Sequence, residues 1–266
     1  MKVYIVTDLE GVAGVISKEQ TFSNQPDYPK ACEWLTQEVN AAVEGAIEGG
    51  ATDILVIDGH GARGGRNFVY EKLTRGARYI QGTPWTEYLQ ALDNSYDALF
   101  HIGAHAMSGT PGAVLEHTMS SEGWVEMTIN GKPMGEIGLC AAIAGEYDVP
   151  FAMVSGDDKA CAEAAALSPG IECAIVKYGI SRTSAILLPI EAARDLIREK
   201  AREAISKAKE IKPFKIQPPI ELIVTYFRTD MVERIKERKG VRKVGPLTVA
   251  YTGNSVKEAF ARVLGA

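Results

Sequence analysis

Four short apolar runs constrain this chain more than any other feature: KVYIVTD (2–8), TDILVID (52–58), YDALFHIG (96–103) and VPFAMVSG (149–156). They are rich in β-branched and aromatic residues and scarcely alternate, which is the pattern of strands covered on both faces. Helical spacing fills the gaps, at Tyr28 to Gly49 and Ile137 to Tyr147, and Glu48-Gly49-Gly50 reads as a helix stop. Repeated strand, helix, strand implies a parallel sheet with right-handed crossovers.

The expected fold is therefore α/β: a mostly parallel sheet with flanking helices, Rossmann-like, plus a smaller C-terminal α+β domain. WVEMTINGKPM breaks the pattern, because alternation on both sides of Asn130-Gly131 predicts a two-residue hairpin. After Pro213, IELIVTYF, TDMVERIKERKG, VGPLTVAYT and SVKEAFARVL read as strand, helix, strand and helix. The predicted division is 1–212, the α/β domain, and 213–266, the smaller α+β domain, with Pro213, Pro218 and Pro219 at its entrance.

Charge narrows the partners. Arg194 to Lys243 holds 15 Lys+Arg against 8 Asp+Glu, a local +7, so the rest carries −12 of the net −5. An acidic remainder suits cations rather than nucleic acid. The basic stretch itself reads as a solvated amphipathic helix around Leu196, Ile197, Ala201, Ala204, Ile205 and Ala208, with no aromatic stacking motif beside it, so no nucleic-acid partner is expected. The opening MKVYIVTDLEGVAG is too briefly apolar for a signal-peptide core or a membrane span. Four scattered cysteines, Cys32, Cys140, Cys161 and Cys173, form no C-x-x-C pair. A soluble cytoplasmic chain with reduced thiols and no membrane partner is expected.

The chemistry gathers at strand ends. Asp8 and Glu10 are two apart where the first strand runs into Gly11-Val12-Ala13-Gly14, so both face one side at the edge where open α/β sheets place ligands. His60 follows the second strand in D-G-H-G, and His105 follows the third in I-G-A-H-A. Each alone could be a solvated or packed polar residue; together they suit zinc or another first-row divalent ion, and a carboxylate-rich set hints at two ions sharing one carboxylate. His101, inside the third strand, reads as a packed residue or one backing the ligands. Asp58 could orient an imidazole, while Asp157 and Asp158 could support the site or cap a helix. H-G-A-R-G-G lacks the phosphate-loop pattern, leaving Arg63 exposed or facing substrate.

These motifs, D-L-E-G-V-A-G, D-G-H-G, G-A-H-A-M, E-H-T and N-G-x-x-x-G-E in that order, resemble the M55 family of zinc-dependent D-aminopeptidases. The similarity runs from residue 1 through G-D-D at 156–158 and more weakly to the C-terminus. The resemblance implies metal ligands Asp8, Glu10, His60, His105 and Glu136, a catalytic His117, and two Zn2+ per chain. It implies short peptide substrates with an N-terminal D-residue, D-Ala above all, and a ring-shaped homo-oligomer such as a decamer. From the residues alone, Glu136 could equally be a first-turn helix carboxylate and His117 a packed loop histidine. Two other readings stay open: a metal-dependent hydrolase of an L-peptide or phosphoester, or a peptide-binding protein without catalysis.

Overall fold

The computed structural model describes residues 1–83 and 87–265. In chain order the elements are β1 (Lys2–Thr7), α1 (Tyr28–Glu48), β2 (Asp53–Asp58), β3 (Arg78–Ile80), β4 (Ala98–Ala104), β5 (Trp124–Ile129), β6 (Lys132–Pro133), α2 (Glu136–Glu146), β7 (Phe151–Asp157), α3 (Asp158–Leu167), β8 (Glu172–Ser181) and β9 (Ser184–Leu187). There follow α4 (Ile190–Lys207), β10 (Ile220–Tyr226), α5 (Thr229–Glu233), β11 (Val241–Lys243), β12 (Thr248–Gly253) and α6 (Val256–Val263).

The main sheet has the order β3-β2-β1-β4-β7-β8-β9 and is parallel except for the β8–β9 hairpin. Its central strands are buried on both faces, as their continuous apolar runs demand. Val3 and Ile5 of β1 join α1 and α4 in one core; Tyr4 and Val6 join α2 and α3 in the other. On α4 the predicted stripe is the buried one, with Ile197, Ala201, Ala204 and Ile205 turned inward and Leu196 half-buried. The strand order reverses between β1 and β4. Helices leave the two strands toward opposite faces there, opening a crevice at their carboxyl ends.

A second, antiparallel sheet has the order β11-β12-β10-β5-β6. The Asn130-Gly131 hairpin is its edge, Asn130 at φ 50° and Gly131 at φ 75°, and β10 pairs with β5 from Leu222–Ile129 to Tyr226–Trp124. Chain from both sides of residue 213 thus makes one sheet, whose inner residues Met127, Ile129, Leu222, Val224 and Tyr251 pack into the α2-side core. The helix expected from TDMVERIKERKG covers just Thr229–Glu233, with Val232 its one buried residue. Too little apolar surface follows Glu233 to keep the segment helical. Among the described residues no helix is long and apolar enough to cross a membrane.

Candidate metal centre

At the reversal point β1 ends and the chain turns sharply. The N–H of Asp8 still donates to Ile102 O at 2.8 Å and that of Gly11 to Gly103 O at 2.8 Å, so the loop after β1 stays pinned to β4. Gly103 makes this possible: it adopts φ 74°, and a Cβ there would stand 2.2 Å from the Asp8 carbonyl. Asp8 and Glu10 are each 5% exposed, and both face the crevice. Carboxylates buried this far are retained where they are paired or hold a cation.

All six candidate residues meet here. His105 Nε2 lies 3.2 Å from Asp8 Oδ2 and 3.2 Å from Glu136 Oε1, His60 Nε2 lies 3.4 Å from Glu10 Oε1, and His117 Nε2 lies 3.8 Å from Glu136 Oε1. The His105 and His117 rings stack with centroids 4.0 Å apart and planes at 12°. Two donor groups result: Asp8, Glu10 and His60, and His105, His117 and Glu136, with ligand atoms inside 4.8 Å within each. Asp8 stands in the first and touches His105 of the second. Glu136 is the first residue of α2, so the helix dipole favours its charge, and Oε1 also accepts the Met119 N–H at 2.6 Å.

Electrostatics shows how tightly the charges are packed. Burial and the adjacent Glu10 carboxylate push the Asp8 carboxyl up. Burial opposes ionisation of Glu10 too, but His60 outweighs it and holds Glu10 low. Burial disfavours charge on His60, yet the Glu10 carboxylate raises it to about 10. For Glu136 burial is outweighed by His105, which lowers it to about 2. Imidazole and carboxylate donors in this proportion suit zinc and its neighbours. The fit has a direct sign: Glu10 Oε2 and His105 Nε2 are buried with no aligned hydrogen bond among the described residues. His105 Nε2 is within 3.2 Å of two carboxylates yet makes an aligned hydrogen bond to neither, which fits a ligand atom.

Surrounding residues fix each donor. His60 Nδ1 faces Asn67 Oδ1 at 3.2 Å, while Asn67 donates from Nδ2 to Asp58 Oδ1 at 2.8 Å and to the His60 carbonyl at 2.7 Å. The Asn67 backbone N–H donates to Asp58 Oδ2 at 2.5 Å. Asp58 therefore acts on His60 through Asn67, a fully buried residue that no sequence motif marks. His105 Nδ1 faces the Ala106 carbonyl at 3.0 Å and His117 Nδ1 the Leu115 carbonyl at 2.8 Å; a proton on each Nδ1 leaves Nε2 turned to the site. Asp157 caps α3 through the N–H groups of Lys159 and Ala160, and its other oxygen accepts the Val114 N–H at 2.7 Å, anchoring the loop that leads to His117. Asp158 accepts the Gly179 N–H at 2.9 Å and pairs with Lys159 at 2.8 Å. His101 is buried in β4, where burial lowers it to about 4. Arg63 is exposed beside the site.

An open cavity of about 610 Å³ stands over the donors. Thr21, Phe22, Ser23 and Asn24 form one wall, and Met119, Ser120, Ser121 and Glu122 the other. Glu122 pairs with Lys18 at 2.6 Å.

Fold and site together define an α/β protein with a divalent-metal type of donor cluster under a small-substrate cavity. A family model for the M55 peptidases, described as D-aminopeptidase, matches residues 1–264, and the chain belongs to that family. It is 33% identical over 267 residues to a D-aminopeptidase of Bacillus subtilis (strain 168), covering 99% of this chain and 96% of that one. Its structure is similar to that of the Zn-dependent D-aminopeptidase DppA from Bacillus subtilis, a self-compartmentalizing protease: the TM-score is 0.92 at 30% identity, over 99% of this chain and 96% of that one.

Proposed function

We propose that this protein is a binuclear zinc aminopeptidase that releases N-terminal D-residues, D-Ala in preference to others, from short peptides. The observation that carries the binuclear reading is Asp8, which belongs to one donor group and lies 3.2 Å from His105 of the other. A bridging carboxylate needs such a position. Asp8, Glu10 and His60 would hold one ion, and Asp8, His105 and Glu136 the second. Zinc and D-peptides enter from the Bacillus subtilis relatives.

Two bound ions supply Lewis acidity, lowering the pKa of a water toward about 7 and polarising the scissile carbonyl. His117 would do the proton work. With its Nδ1 proton given to Leu115 O, Nε2 is free to take a proton from water and give it to the departing amine. Its side chain is 13% exposed against 1% for His105, so it faces the cavity while His105 stays behind the donors. The cavity walls admit short peptides, and the amine end is expected to lie at the metals, so a free amine is required.

A homo-oligomer is proposed from the self-compartmentalizing relative, in a ring such as a decamer, as the resemblance to the family implies. A cytoplasmic setting is in keeping with four free cysteines, Cys32, Cys140, Cys161 and Cys173. Metal analysis followed by assays on matched D-Ala and L-Ala dipeptides tests the reading. Two zinc ions per chain, turnover of D-Ala-D-Ala and none of its N-acetyl form are expected. Equal rates on L-Ala-L-Ala would remove the stereospecific part, and two ions retained by Asp8→Ala would remove the bridge.

A further inference from the structure

The loop that follows β1 is held by two buried charged groups that the proposed chemistry leaves unused. Lys177, on β8, is 0% exposed. Its Nζ donates to the carbonyls of Glu10 at 2.6 Å, Val12 at 2.9 Å and Val15 at 2.5 Å. An ammonium has three protons, and all three are used on one turn of chain. Glu38, in the middle of α1, accepts the Ala13 N–H of the same loop at 2.8 Å. Three acids act on the ammonium: Asp157, its register partner on β7, whose oxygens are already taken by N–H groups of Val114, Lys159 and Ala160, then Glu38, and then Glu10 itself.

A buried lysine is a poor way to gain stability, since an apolar residue of its size generally does as well or better. What the ammonium provides is a fixed path for a loop whose carbonyls would otherwise turn toward water. The first of those carbonyls belongs to Glu10 itself. We propose that Lys177, together with Glu38, is a positioning residue that sets the course of residues 10–15 and so aims the carboxylates of Asp8 and Glu10 at the metal pair. The inference rests on the ligand assignment proposed above.

The test measures zinc affinity of the zinc-stripped full-length protein by chelator competition, beside its turnover. In Lys177→Met the side-chain volume stays and the three donors go. Supporting groups of this kind typically contribute about 10–100-fold to metal affinity, so zinc binding that much weaker is expected, with kcat falling and KM little changed. Should Lys177→Met fail to fold, Lys177→Met/Glu38→Gln removes both charges, leaves Ala13 its acceptor, and is read instead. Lys177→Ala with n-propylammonium, which replaces the missing atoms, should recover affinity, whereas 1-propanol should not. Affinity within twofold of the wild type in the folded variant, equal rescue by the alcohol, or loss of folding in both variants overturns the proposal. Failure of the ligand reading looks different: wild-type zinc binding by Asp8→Ala, whatever Lys177 does.

Discussion

His117 sits between two residues with left-handed backbone, Leu115 at φ 52° and Met119 at φ 58°. Non-glycine residues in that region cost on the order of 1–3 kcal/mol each, and such costs collect where a side chain must be aimed. Asp157 and the Met119–Glu136 hydrogen bond hold the loop on either side of it. His117→Ala should therefore keep the fold and both zinc ions and turn over at least about a hundredfold more slowly; metal loss, read by elemental analysis, would make His117 a ligand with His105 and Glu136. Asn67→Ala should weaken zinc binding about 10–100-fold by freeing the His60 ring, with chelator competition as the check. The strand-end residues were legible because i, i+2 spacing and the strand-turn pattern put them at one edge. Asn67 and Lys177 were not, since a side-chain partner 7 or 167 positions away leaves no periodic trace.

Among elements, α1 and α4 pack closely where Gly45 meets the carbonyl of Arg198: a Cβ at residue 45 would stand 2.1 Å from that oxygen and 2.9 Å from the Ala201 Cβ. Gly45→Val should destabilise by about 1–3 kcal/mol through overpacking, more than the helix-propensity gain returns. Urea unfolding checks this, and zinc content should stay unchanged because the contact lies away from the site. Apolar runs and helical spacing sufficed to place β1, β2, β4 and β7 and the cores of α1, α2 and α4. The β8–β9 hairpin escaped notice: Lys177 and Gly179 interrupt its apolar run, and Tyr178, Ile180, Ile186 and Leu187 lie exposed on it. The pairing of β5 with β10 was equally hidden, because register between strands some 90 residues apart is settled by packing rather than by local pattern.

For the whole molecule, stability should respond to both pH and metal. Burial raises Glu38 from 4.5 to about 7. A carboxyl whose folded pKa lies above its unfolded one is a stability loss that grows as pH rises between the two values and is complete above the higher. Glu38→Gln should accordingly gain roughly 3 kcal/mol relative to the wild type between pH 4.5 and pH 8, at about 1.4 kcal/mol per unit. Urea unfolding of zinc-stripped protein at the two pH values decides it, and an equal difference at both would give Glu38 an ordinary pKa. Zinc itself should raise the melting temperature, since ligand at about a thousandfold excess over its Kd contributes on the order of 4 kcal/mol. An unchanged calorimetric melt after chelation would mean that these donors hold no metal in the folded state.

The Lys177 grip also gives the site a place in time. Ribosomes deliver Asp8 and Glu10 almost at once and His60, His105, His117 and Glu136 over the next stretch of synthesis, yet the ammonium that fixes the acidic turn is 167 residues behind Glu10. Until β8 has emerged and joined β7, a nascent chain carries every donor but lacks the hydrogen bonds that shape the turn. On the role proposed for Lys177, catalytic competence waits for β8, and a fragment ending before that strand would carry the donor residues without the geometry to cut peptides.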